Sequence, residues 1–95
     1  MSGFTPLDPL LHSQLRLAVM SLLMSLESAE FTFIKEKTSA TAGNLSVQIE
    51  KLSTAGYIAV EKAFKGKKPV TTCNVTKEGI EAFEAYVSAL KGYID

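Results

Sequence analysis

Between Thr41 and Gly79 the hydrophobic period changes twice, and that change limits the chain to few folds. Leu45, Ile49 and Leu52 recur at four and three residues, the spacing of one helix face. Thr41 stands where an N-cap is needed, and Gly56 where a helix closes in the left-handed conformation. A helix is therefore expected over 41–55. Two β-rich runs follow, Tyr57 to Phe64 and Val70 to Val75, with Gly66 and Pro69 marking the loop of a hairpin over 57–75. Thr76 can cap a further helix over 76–94, with Glu78 placed favourably against its N-terminal dipole.

Upstream, Leu15, Ala18, Val19, Leu22, Leu23 and Leu26 recur at helical spacing and predict a helix over 13–26. Leu10, Leu11, Leu17 and Met20 add apolar surface off that stripe, more than a lone domain of this size needs to bury. Residues 1–9, with Pro6 and Pro9, form a short arm. Glu30 to Phe33 begins β-like, and Thr32 can cap a short second helix over 32–38, with Ser39 and Ala40 as the turn before the third. The last helix has two apolar stripes: Ile80, Phe83, Val87, Leu90 and Ile94, and beside them Ala82, Tyr86, Ala89 and Tyr93. One stripe can pack on the core and the other on a partner helix. A homodimer follows, with Leu11, Leu15, Val19, Tyr86, Ala89 and Tyr93 as its expected interface. The order of elements is that of an α+β winged helix-turn-helix. It has a three-helix core, a β-hairpin wing and a long C-terminal dimerisation helix, in one domain over residues 1–95.

Formal net charge is zero, but the charges are segregated. Residues 1–34 set Arg16 against Asp8, Glu27 and Glu30, a balance of −2. Residues 35–77 set eight lysines against Glu36, Glu50 and Glu61, a balance of +5. Residues 78–95 return to −3. The positive charge gathers where the third helix and the hairpin lie, which is the footprint of a DNA-binding face. Other classes are disfavoured. No apolar run approaches the roughly 18 residues of a membrane span, and Met1 to Pro6 lacks the pattern of a signal peptide. Cys73 is the sole cysteine, and with His12 it makes too few soft ligands for a zinc site. No phosphate-binding glycine loop, nucleophile elbow or spaced acid–base pair points to an enzyme. His12 is expected to cap or pack, and Cys73 to sit half-buried in a strand. No metal or cofactor is expected, and the cytoplasm is the expected compartment.

With Leu45, Ile49 and Leu52 turned inward, a rotation of about 100° per residue turns Gly43, Val47 and Thr54 outward. Asn44 and Lys51 flank that face on one side and Ser46 on the other, with Gln48 nearer the core boundary. The face is slim and polar, suited to a major groove about 12 Å wide. Asn44 and Gln48 carry amides that can pair bidentately with adenine, and Val47 can meet a thymine methyl. Lys51, Thr41 and Ser46 suit phosphates, and Gly43 lets the helix start approach the backbone closely. Lys65, Lys67 and Lys68 at the hairpin tip are the expected phosphate contacts of the wing.

Gly43–Ser46 (Gly-Asn-Leu-Ser), Ala55–Tyr57 (Ala-Gly-Tyr) and Thr76–Gly79 (Thr-x-x-Gly) carry a resemblance that spans about Leu7 to Leu90. The chain resembles the small stand-alone winged-helix regulators of bacteria and archaea, similar to the MarR, ArsR and PadR groups. The resemblance implies a homodimeric DNA-binding transcriptional regulator. Its third helix would read the major groove, its wing would touch backbone or minor groove, and its terminal helices would dimerise. Two positions depart from the family pattern. Gln48 stands where a histidine is frequent, and Val70 where an arginine often follows the wing proline. The cysteine pair and the His/Asp clusters of the metal-sensing branch are absent. Two variants of this reading stay open. In one, the winged helix binds protein and not DNA. In the other, a small apolar effector lies between the first and last helices, lined by Met24, Tyr86 and Tyr93.

Overall fold

The computed structural model describes residues 4–94. The first three residues of the expected arm, and Asp95, lie outside the described residues. Seven elements follow in the order α1 (Gln14–Leu26), β1 (Ser28–Glu30), α2 (Phe31–Thr38), α3 (Ala42–Thr54), β2 (Ile58–Lys65), β3 (Lys68–Val75) and α4 (Lys77–Ile94). The fold is an α+β winged helix. Three helices and α4 surround a small antiparallel sheet of order β1-β3-β2.

Helix α3 is bounded as its chemistry requires. Thr41 caps it, its hydroxyl accepting from the Asn44 amide at 3.1 Å. At the other end Gly56 takes φ +83°, its N–H reaching Ser53 O at 3.0 Å, and Tyr57 N–H reaches Leu52 O at 3.0 Å. This is the paired closure of a Schellman motif. The α2–α3 turn uses Ser39 in the left-handed region, φ +58°. Helix α2 begins at Phe31 and not at Thr32. Its N-cap position is Glu30, which offers no side-chain cap, and Thr32 lies within the helix.

The sheet has one strand more than the hairpin. Ser28, Ala29 and Glu30 pair with Asn74, Cys73 and Thr72 of β3. Three residues are too few to display an alternating pattern, so β1 has no sequence signature. The hairpin is also tighter at its tip. Lys65 and Lys68 face each other across a loop of Gly66 and Lys67, with Gly66 at φ +65°. A positive φ at the first of two loop residues is the mark of a type II′ turn. Pro69 therefore belongs to β3, opposite Phe64, and not to the loop. Alternation along the strand turns its nitrogen outward, where β1 does not reach, so no ladder bond is lost.

The core gathers Leu11, Val19, Met20, Leu23, Ile34, Leu45, Leu52 and Cys73, all fully buried. Cys73 is thus wholly buried and not half-buried, because β3 is the middle strand. Burial pushes its thiol pKa up, away from reactive thiolate. The apolar excess of α1 is absorbed inside the chain. Met20 and Leu11 enter the core, and Leu10, Leu15 and Leu17 pack against it. The described part of the arm is fastened to the body at two points. Tyr57 donates to Asp8 Oδ2 at 2.6 Å, and Tyr93 donates to Thr5 O at 2.9 Å while its ring stacks on Phe4. His12 is exposed and shares a 2.9 Å hydrogen bond with the Tyr86 hydroxyl.

Two of the three sequence motifs have a structural cause in common. Thr76 donates from its hydroxyl to Gly56 O at 2.6 Å and accepts from Gly79 N–H at 3.0 Å. Its own N–H reaches Tyr57 O at 3.1 Å. Gly79 lies so close to that carbonyl that a Cβ would stand 2.1 Å from the Tyr57 oxygen. Ala55–Tyr57 and Thr76–Gly79 are the two halves of one joint, which sets α4 against the end of α3.

Candidate nucleic-acid interface

Leu45, Ile49 and Leu52 anchor α3 in the core, and that fixes which residues face away. Gly43, Asn44, Ser46, Val47 and Lys51 are exposed along its outer side, Val47 by 49%, and Thr41 is exposed at its start. No Cβ added at Gly43 would meet a neighbour, so the start of the helix is open to close approach. Gln48 is half-buried at the edge of this face. Its amide is engaged at both ends. Oε1 accepts from an Arg16 Nη, and Nε2 donates to Asn44 Oδ1 at 3.0 Å. A bidentate contact from Gln48 to adenine would have to share both groups with these partners. Arg16, which sequence reading left aside, is thus part of the site. Nothing in a linear sequence places a residue of the first helix beside the third.

The wing extends from the same side of the fold. A cleft of about 690 Å³ separates it from α3, lined by Ser46, Ile49, Ser53, Val60, Lys62 and Thr71. Lys67 and Lys68 lie at the tip, exposed. Lys65 is also exposed, but it pairs with Glu30 at 3.1 Å. An exposed pair of this kind is worth well under about 1 kcal/mol and yields readily to a phosphate. Phe64, 73% exposed, stands among these lysines on β2. Its β-rich surroundings predicted a strand residue, and only the length of the hairpin beyond the core shows that nothing covers it.

The expected interface residues separate into two groups. Leu11 and Val19 are fully buried and Tyr86 is 5% exposed, so these three side chains belong to the chain's own core. Leu15 and Ala89 are half-buried, and Tyr93 is exposed but holds the arm. The core-facing side of α4 draws on both apolar stripes, through Ala82, Phe83, Tyr86 and Leu90. Ile80 and Val87 remain half-exposed, and Ile94 is exposed. Two of the side chains expected to line an effector cleft are engaged within the chain. Tyr86 closes on His12 and Tyr93 on Thr5. Among the described residues no cluster of three metal-ligating side chains occurs, and no helix is long and apolar enough to cross a membrane.

Known proteins share this architecture. The winged helix DNA-binding domain family matches residues 15–94. An uncharacterised protein of Methanocaldococcus jannaschii is 33% identical over 76 residues, covering 80% of this chain and 83% of that one. A transcriptional regulator homologue from Pyrococcus horikoshii OT3 superposes with a TM-score of 0.85 at 30% identity, covering 90% of this chain and 85% of that one. A PadR-family transcriptional regulator from Eggerthella lenta shares the fold at a TM-score of 0.66 and 24% identity, covering 85% and 79% of the two chains. The match over most of its length places the chain in the winged helix DNA-binding domain family, as a small winged-helix regulator of the kind its motifs resemble.

Proposed function

We propose that this protein is a sequence-specific double-stranded DNA-binding transcriptional regulator that works as a homodimer. Helix α3 enters the major groove and the wing lies on the flanking backbone. The carrying observation is the exposed, polar outer side of α3 beside a wing tip with two exposed lysines, Lys67 and Lys68. Thr41, Ser46 and Lys51 supply phosphate contacts, and Asn44 and Val47 face the bases. Lys65 joins them by leaving Glu30. The protein acts without catalysing a reaction, and in the cytoplasm.

Fluorescence anisotropy against mixed DNA fragments at low and physiological salt tests this reading. Each phosphate contact contributes about −0.9 to the slope of log affinity against log salt. The double variant Lys67→Ala/Lys68→Ala should bind more weakly and make the slope shallower by about 1.8 per protomer, about 3.6 for the dimer. Absence of binding by the parent chain even at low salt would favour a winged helix that binds protein.

A further inference from the structure

Arg16 is the only arginine in the chain. It lies neither on the wing nor on α3. It projects from the first turn of α1, where Nε donates to Leu10 O at 2.5 Å and an Nη donates to Gln48 Oε1. Gln48 Nε2 in turn donates to Asn44 Oδ1 at 3.0 Å. The order of donors in this chain is forced. A guanidinium offers donors only, so Gln48 must turn its oxygen to Arg16. Its NH₂ then points at Asn44, which must answer with its own oxygen. The relay ends at Asn44 Nδ2, on the exposed first turn of α3, with both hydrogens free of the relay.

We propose that Arg16 is a positioning residue that fixes Asn44 as a hydrogen-bond donor toward DNA, so that this position reads paired acceptors on a base edge. Guanine presents N7 and O6 side by side in the major groove. Both are acceptors, so Nδ2 can donate to either while Oδ1 stays with Gln48. Adenine presents a donor beside its N7, and pairing with it would make Asn44 Oδ1 serve both Gln48 and the base. The proposal rests on the DNA-reading function and deepens it: it names the base class read by one residue, and it replaces the adenine contact that Asn44 and Gln48 suggest as isolated amides.

Selection from a randomised duplex pool, followed by sequencing, tests the relay in three proteins: the parent chain, Gln48→Glu and Arg16→Met. Thermal melting confirms that each is folded. The parent should enrich a site with guanine at one position, preferred over adenine on the order of ten-fold, as one specific base contact supplies. In Gln48→Glu the carboxylate still accepts from Arg16 but has no donor for Asn44. Asn44 must then turn Nδ2 inward and Oδ1 outward. The preference at that position should switch to a base that offers a donor, cytosine or adenine, while the rest of the site is kept. Arg16→Met should flatten the preference at the same position to near equality. A purely structural role for Arg16 would lower the melting temperature and leave the base preference unmoved. If Arg16→Met does not fold, Gln48→Glu decides alone, because it keeps the Arg16 contact. The same guanine enriched by the parent and by every folded variant overturns the relay and leaves DNA reading intact. No enriched sequence from the parent overturns both.

Discussion

Tyr57 shows how one residue joins the arm to the end of α3 and the start of α4. Its hydroxyl donates to Asp8 Oδ2 at 2.6 Å, and its carbonyl accepts from Thr76. The hydrogen bond to the Asp8 carboxylate, then burial, then the negative charge beside it push its pKa up from 10.0 to about 12. The folded state therefore holds this proton more tightly than the unfolded chain does. Its stabilisation is complete below pH 10 and is lost as the pH rises toward 12. Tyr57→Phe should cost about 1 kcal/mol at neutral pH, a fall of roughly 4–8 °C in melting temperature. The gap between parent and variant should close between pH 10 and 12. Parallel melting curves over that range would refute the role given to this contact.

At the scale of elements, the joint between α3 and α4 decides more than any propensity. Gly79 sits in the first turn of α4, where alanine would gain about 1 kcal/mol in helix propensity. Its Cβ would stand 2.1 Å from a backbone oxygen and 3.2 Å from Met20 Cε. The backbone cannot yield as a side chain would, so overpacking wins, at about 1–3 kcal/mol or more. Gly79→Ala should lower the melting temperature by about 10 °C, measured by circular dichroism. A neutral or stabilising effect would mean that the helix shifts freely. The sequence marks both ends of this joint, through Gly56 and Thr76, because caps and left-handed closures depend on local geometry. That the two ends touch is a tertiary fact. The same limit hid β1, whose three residues become a strand only because β3 offers an edge.

For the whole molecule, the proposed dimer needs an apolar surface that the chain does not bury itself. Most of the surplus apolar surface of α1 goes into the chain's own core, so it no longer calls for a partner. What α4 leaves accessible is a seven-residue repeat, half-exposed Ile80 and Val87 with Ile94 at 73% exposure. A seven-residue spacing keeps one seam facing a partner helix. We expect the dimer to form along this stripe and not through Tyr86. The double variant Ile80→Glu/Val87→Glu should shift sedimentation from dimer to monomer. It should also weaken operator binding at least ten-fold by removing avidity for two half-sites about 34 Å apart. A dimer that persists in this variant would place the contact elsewhere.

The sequence by itself determined the order of helices and hairpin, the inward face of α3, the glycine at its end and the lysines at the wing tip. Each of these follows from spacing or from the conformational limits of a single residue, which a linear pattern carries. Only the tertiary structure decided which apolar residues the chain keeps for itself and which amides are free. Tyr86 and Ile80 both occupy apolar positions on α4, yet only packing against the arm and α1 makes one core and the other surface. Asn44 and Gln48 are equivalent amides in the sequence. Arg16, 32 residues before Gln48, engages the oxygen of one of them, whose NH₂ in turn takes the oxygen of the other. Contacts between residues so distant in the chain have no local signature, because they depend on how whole elements come together.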